Sequence, residues 1–130
     1  MDQSFGKSYK LCNKKQIDSL FETGSTQKQY PLLAKYQPLE LNSKEAFQMV
    51  IAAPKRTFRS AVKRNRIKRI CKEAVRKNKH ALESHLNEQR FQLGIFLLYT
   101  GKEEMDVSGL EQKVTSLFQK IIQDLNAKSA

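Results

Sequence analysis

The sequence predicts an α+β fold, a small sheet covered by helices, and three observations predict it. Segments whose apolar residues alternate with period two stand beside segments whose apolar residues recur every three or four positions, the signatures of strand and amphipathic helix. One run, residues 91–99, is apolar on both alternating faces (Phe91, Leu93, Ile95 and Leu97 against Phe96 and Leu98), as a central strand covered on both sides requires. Finally, 130 residues with 39% apolar and 28% charged residues can build one modest core without covalent staples. The elements run α-β-β-α-β-α, with room for another short strand. No internal repeat, linker or low-complexity stretch divides the chain. Residues 1–130 therefore read as one domain, whose ends, about 1–5 and 127–130, are expected to be flexible.

Each element has a local reason. Asn13 followed by Gln16 has the pattern of an N-cap and its reciprocal partner. Ile17, Leu20 and Phe21 then form one apolar stripe and Gly24 stops the helix, which gives a first helix over residues 14–23. Residues 29–41 read as extended, with Tyr30, Leu32, Ala34 and Tyr36 on one face, and Pro31 and Pro38 confine the segment to a sheet edge or to strand ends. In residues 45–53, Phe47, Met49 and Ile51 share a face and Val50 takes the other. Asn42-Ser43-Lys44 offers a hairpin connection between these two strands. Pro54 ends the second of them. From Ala61 the chain reads as helix, because Ile67, Ile70, Cys71, Ala74 and Val75 fall on one stripe. Asn78 interrupts it, and residues 81–86 add another helical turn or two. After the apolar strand, residues 101–106 form a polar loop and Ser108 with Glu111 reads as a capping box. Leu110, Val114, Leu117, Phe118, Ile121, Ile122 and Leu125 then define a final amphipathic helix.

Charge is distributed unevenly over these elements. The chain carries 24 Lys or Arg against 13 Asp or Glu, a net charge of +11. Residues 55–80 hold twelve of the bases and one acid, Glu73, so that segment accounts for the whole excess and the rest of the chain is neutral. An ordinary solvated helix face mixes signs, because like charges at helical spacing repel. A one-sign segment points instead to a polyanion, nucleic acid before an anionic membrane surface. On the predicted helix Asn65, Arg69, Lys72 and Arg76 lie opposite the apolar stripe, flanked by Arg66 and Lys68. Arg supplies forked donors that suit phosphate oxygens or a guanine edge, and Asn65 a neutral donor and acceptor for base, sugar or backbone.

Other classes are excluded on the same footing. The longest strong apolar run, residues 93–99, is broken by Gly94 and falls short of a bilayer span. Residues 1–10 hold no apolar segment fit for a secretory signal. Cys12 and Cys71 are too few for a disulfide scaffold or a zinc site and fit a reducing, cytoplasmic setting. Glu103, Glu104 and Asp106 form the one acidic cluster and read as surface loop acids, not as the carboxylate set a two-metal nuclease needs. Glu73 is spaced from Arg69 and Arg76 for pairing within the helix. His80 and His85 are five apart, the wrong spacing for two metal ligands on one helical face. No glycine-rich phosphate loop is present, and no self-sufficient active site emerges. Rings that could stack on unpaired bases are scarce. Phe21, Tyr30 and Tyr36 are the candidates for an exposed ring, with core packing the alternative at each. These residues by themselves give a nucleic-acid binder.

The stretch Lys55-Arg56-Thr57-Phe58-Arg59-Ser60-Ala61-Val62-Lys63-Arg64-Asn65-Arg66-Ile67-Lys68-Arg69 resembles the signature of the bacterial ribonuclease P protein family. A basic run leads into Ala-Val, then Arg-Asn-Arg-Ile-Lys-Arg, then a helix of Arg-Glu-Ala type. Lys72-Glu73-Ala74-Val75-Arg76 fills the last part, with Lys72 where Arg is commoner. Phe5-Gly6-Lys7, Lys10-Leu11, residues 17–21 and Gly24 are similar to the family's N-terminal pattern. The resemblance implies an α/β sandwich of order αβββαβα, similar to a domain of a small-subunit ribosomal protein, with a left-handed β-α-β crossover that departs from the usual right-handed rule.

It also implies a protein that is not itself the catalyst. Such a protein joins a large RNA whose bound Mg²⁺ ions activate water to cut the 5′ leader from precursor tRNA. The implied partners are ribonuclease P RNA and precursor tRNA, in the cytoplasm, with no membrane and no protein partner. Carried over residue by residue, the catalytic RNA would meet Lys55, Arg56, Arg59, Lys63, Arg64, Asn65, Arg66, Lys68, Arg69, Lys72 and Arg76. A separate cleft between the sheet and the first helix would hold the single-stranded leader, with Ile17, Phe21, Leu33, Lys35 and Tyr36. Leu33 stands where the family has a strand tyrosine, which leaves Phe21 as the stacking ring. No catalytic residue and no metal ligand is carried over. A structural RNA-binding protein of ribosomal type, sharing the basic helix and the small sheet, is the alternative.

Overall fold

The computed structural model describes residues 9–11, 13–41 and 45–129. The first helix, α1 (Lys14–Thr23), starts where Asn13 Oδ1 accepts the Gln16 N–H at 3.2 Å. The Gln16 side chain does not reciprocate. It donates to the Glu40 carbonyl at 2.7 Å and ties the helix to a distant segment. Gly24 ends α1 with φ −70°, so left-handed freedom is not what it supplies. A Cβ there would lie 2.4 Å from the Leu20 carbonyl oxygen, and only glycine admits that approach.

The next element is the short extra strand for which the sequence left room. β1 (Ser25–Gln29) and β2 (Leu32–Pro38) form an antiparallel hairpin turned by Tyr30 and Pro31, whose peptide bond is cis. Then come β3 (Phe47–Ala52), α2 (Ala61–Asn78), α3 (His80–Gln89), β4 (Leu93–Tyr99) and α4 (Val107–Ser129). The sheet order is β1-β2-β4-β3, with β4 antiparallel to β2 and parallel to β3. This corrects the expected pairing of the second and third extended segments: β4 lies between them, so they are not hairpin partners. β4 takes the inside position because it is apolar on both faces. A parallel neighbour requires a crossover, which α2 and α3 provide. On the far edge Lys10 bridges Met49 in parallel, and the Leu11 N–H donates to the Met49 carbonyl at 3.2 Å.

Helices cover both faces. On one, Leu32, Ala34 and Tyr36 of β2, Phe47 and Met49 of β3, and Leu93, Ile95, Leu97 and Tyr99 of β4 pack with the buried stripes of α2, α3 and α4. Ile67, Cys71, Ala74 and Val75 are buried as their spacing predicts, and Ile70 is half-buried at the rim. On the other face Leu11, Leu20 and Leu41 pack with Ile17, Leu39, Val50 and Phe96 under α1. The expected α+β sandwich is the observed architecture.

Four local readings change. Tyr30, expected to alternate with Leu32 on one strand face, sits in the hairpin turn and is 66% exposed, the exposed ring that is one of its two readings. Ser108 lies inside α4; the cap is Asp106, whose Oδ1 accepts the Gly109 N–H at 3.0 Å. α3 is ten residues, longer than the expected turn or two. Between α2 and α3 lies Lys79, 1% exposed although it belongs to the most basic segment of the chain. Its Nζ donates to the Tyr9 hydroxyl at 2.7 Å, sits 4.1 Å from the Tyr9 ring centroid, and lies 3.8 Å from Glu83, to which the Tyr9 hydroxyl donates at 2.8 Å. Phe5-Gly6-Lys7, Cys12, the residue 42–44 connection and the N-terminal end expected to be flexible lie outside the described residues.

Candidate nucleic-acid interface

The charged surface begins in the loop before α2. Its Phe58 N–H donates to the Pro54 carbonyl at 3.0 Å, and its ring is buried against Tyr99 with centroids 6.0 Å apart. The Arg64 guanidinium turns back onto this loop, donating from Nη1 to the carbonyls of Phe58 at 2.8 Å and Arg59 at 2.9 Å. Anchored from both sides, the loop holds Lys55, Arg56 and Arg59 outward, all exposed. Ser60 caps α2, its Oγ accepting the Lys63 N–H at 3.3 Å. No acid occupies the first turn of α2. Lys63 and Arg64 instead add to the positive end of the helix, against the arrangement that would favour stability and in favour of an anion.

Along α2 the side opposite the core presents Asn65, Arg66, Lys68, Arg69 and Lys72, all exposed. Arg66 Nη1 lies 3.6 Å from Glu104 Oε2, a loose exposed pair. Arg76 is engaged more firmly: Nε donates to Glu73 Oε2 at 3.0 Å and Nη2 to Oε1 at 2.5 Å. That hydrogen bond holds the Glu73 carboxyl below its ordinary pKa. Of the eleven basic-face candidates, nine face solvent, while Arg64 supports the loop and Arg76 is neutralised by its neighbour. The face is stiff, one-signed and free of described acids apart from Glu73 and Glu104.

The opposite sheet face is built differently. The strand registers place Lys28, Leu33, Leu98 and Ala52 in one row across it, and Thr26, Lys35, Phe96 and Val50 in the next. α1 lies over β2 and β4 on this side, its Phe21 ring 4.8 Å from the Phe96 centroid and 50% exposed. Lys35 Nζ sits 6.0 Å from the Phe21 centroid. Ile17, Phe21, Leu33 and Lys35 are thus brought to one face, Ile17 within the packing under α1. Tyr36 is not. It is 1% exposed on the other face, where its hydroxyl donates to Asp124 and accepts from Gln27 Nε2 at 3.4 Å. Burial first, then the Asp124 bond, pushes the Tyr36 hydroxyl well above its ordinary pKa. Adjacent strand residues point to opposite faces, so Lys35 and Tyr36 cannot both line one cleft. Sequence reasoning missed Phe96 as Phe21's partner; its signal was an aromatic on the second face of a strand already apolar on the first.

The acidic loop has structural employment. Asp106 caps α4, Glu104 faces Arg66, and the Glu103 carbonyl accepts the Tyr99 hydroxyl. His80 and His85 both lie on α3, and His80 Nδ1 is 3.9 Å from Glu83. Among the described residues no three His, Cys, Asp or Glu side chains gather to hold a metal ion. Cys71 is a free, buried thiol, which burial pushes up to about 12. Among the described residues no helix is long and apolar enough to cross a membrane.

Comparison with known proteins bears on this geometry. The ribonuclease P family model matches residues 5–122. The ribonuclease P protein component of Porphyromonas gingivalis is 33% identical over 106 residues, covering 82% of this chain and 77% of that one. Among solved structures, the RNase P protein from Thermotoga maritima superimposes with a TM-score of 0.68 at 16% identity, covering 85% of this chain and 96% of that one. The Staphylococcus aureus RNase P protein gives 0.66 at 15% identity, covering 88% and 96%.

Proposed function

This chain belongs to the ribonuclease P protein family, and from that premise we propose that it binds the catalytic RNA of ribonuclease P through α2 and the 5′ leader of precursor tRNA through the sheet face under α1. The observation that carries the reading is the concentration of the chain's whole +11 charge excess in residues 55–80, with nine of those candidates turned to solvent on one stiff surface. Such a surface neutralises phosphates and releases their counterions, so it binds tightly and with strong salt dependence. Arg66, Arg69 and Asn65 add directional donors that select a particular arrangement of phosphates and base edges.

The leader side supports the reading by other means. The Phe21–Phe96 pair offers a ring face to an unpaired base, and Lys35 beside it offers a cation to the adjoining phosphate. Mature tRNA has no leader, so contacts made only to the leader favour substrate over product. The hydrolytic chemistry belongs to the RNA and its Mg²⁺, and the protein's part is binding and positioning, in the cytoplasm. Reconstitution tests this directly. Adding the chain to its cognate ribonuclease P RNA should restore precursor-tRNA cleavage at a Mg²⁺ concentration where the RNA alone is idle. No rescue at any salt concentration, or capture of ribosomal RNA alone from cells, would overturn the proposal.

A further inference from the structure

Among the described residues two large rings stand on the surface, Phe21 and Tyr30. The first belongs to the cleft; the second does not, and its setting is unusual for an exposed side chain. The hairpin that carries Tyr30 is fastened on both arms. Lys120 Nζ donates to the Lys28 carbonyl at 2.7 Å, while the Thr100 N–H and hydroxyl both donate to the Pro31 carbonyl, at 2.6 and 3.0 Å. Tyr30 therefore projects from a fixed support, and a ligand meeting it would have little ordering left to impose.

Two hollows flank the ring. One, of about 290 Å³, is lined by Lys28, Tyr30, Leu32, Leu33 and Thr100. The other, of about 330 Å³, includes Tyr99, Lys102, Glu103 and Glu104. Their charges differ. The first has a lysine and no acid in its lining, whereas the second has two carboxylates that repel phosphate. The first hollow also lies on the cleft's side of the hairpin, because two of its lining residues, Leu33 and Lys28, form the sheet row next to Lys35 and Phe96. An RNA strand passing from the Phe21–Phe96 rings along β2 would meet a second cation at Lys28 and a second ring at Tyr30.

We propose that Tyr30 and Lys28 form a further nucleotide subsite, which takes an unpaired leader base against the Tyr30 ring and its phosphate at Lys28. The inference rests on the reading of this sheet face as the leader cleft. A bare ring face reads no base edge, so the subsite extends the grip on single-stranded RNA without adding sequence preference. Leu33 leaves its own row of the face without an aromatic, and Tyr30 supplies one at the end of the hairpin.

The test uses the reconstituted holoenzyme and precursor tRNAs with unpaired leaders of increasing length. Affinity should rise in two steps. Phe21→Ala removes the first step, made when the leader fills the cleft. Tyr30→Ala removes the second, made when the leader reaches the hairpin, by roughly fivefold or more, the scale of one stacked base. Tyr30→Phe keeps the second step, and Lys28→Ala weakens it chiefly at low salt. Tyr30 is exposed, so equal melting temperatures for the variants confirm that folding is intact. If Tyr30→Ala matches the parent at every leader length while Phe21→Ala loses the first step, the subsite is overturned and the cleft stands. If no variant shows any dependence on leader length, both fall.

Discussion

The two regions proposed to meet RNA lie on opposite sides of one sheet and are built on opposite principles. On α2 the density of like charge is high, the supporting loop is pinned by Phe58 and Arg64, and no described aromatic shares the outward side. Under α1 the cations are few, and the distinguishing groups are two touching rings with Lys35 beside them and Lys28 in the next row. Helix α2 accepts like-charge repulsion and an unfavourable N-terminal dipole, so its folding depends on the stripe it buries. The sheet face has no such conflict. The proposed polyanion dock is marked by what it costs the fold, the proposed stacking cleft by what it leaves uncovered.

The largest effect should come from breaking that burial. Ile67→Asp places a carboxylate in the α2 stripe and should abolish cooperative thermal unfolding, costing several kcal/mol. Arg66→Ala, one residue away and exposed, should leave the melting temperature within a degree or two of the parent while weakening assembly with ribonuclease P RNA. Similar melting temperatures for the two variants would contradict the assignment of the two sides of α2.

A second contrast concerns discrimination. Phe21→Ala should lower affinity for precursor tRNA roughly fivefold or more and leave affinity for mature tRNA unchanged, as holoenzyme binding measurements would show. Arg69→Ala should lower both together, because it loosens the RNA on which both substrates sit. Equal loss for precursor and mature tRNA in Phe21→Ala would remove the leader from the cleft.

A third concerns alkali. Burial pushes the hydroxyls of Tyr9, Tyr36 and Tyr99 above their ordinary value of 10.0. A raised folded pKa contributes stability that is complete below 10.0 and lost as pH rises toward the folded value, so unfolding titrations should show stability falling above pH 10.0. Tyr36→Phe should shrink that loss.

The smallest effect is on the acid side. Glu73 is half-exposed, and its depressed pKa contributes stability present above the ordinary 4.5 and lost as pH falls through the folded value. Glu73→Gln should flatten the acid limb of the stability profile only slightly, and a large change would mean that the Arg76 pair matters more than an exposed pair can.

What the sequence disclosed follows the same division. The α2 stripe, the Asn13 cap and the outward run from Asn65 to Lys72 were legible because each depends on residues within a few positions of one another. Strand periodicity told which side chains share a face but not which strands are neighbours, so β4's place between β2 and β3 had to come from the sheet itself. The cleft position that the family resemblance implies for Tyr36 conflicts with its alternation with Lys35, which is local and legible. The extended pattern over residues 29–41 runs through Tyr30 and Pro31, which in fact make the hairpin turn. Lys79 was hidden altogether, since its burial depends on Tyr9, seventy residues earlier, and on Glu83 in the next helix.

The division of labour between the two regions is tested most directly by salt. Affinity for ribonuclease P RNA should be measured as a function of salt concentration for the parent chain and for a Lys68→Ala, Arg69→Ala double variant. Two lost phosphate contacts should make the logarithmic slope shallower by roughly 1.5. Parallel lines for the two proteins, at whatever affinity, would show that this face of α2 does not hold the RNA.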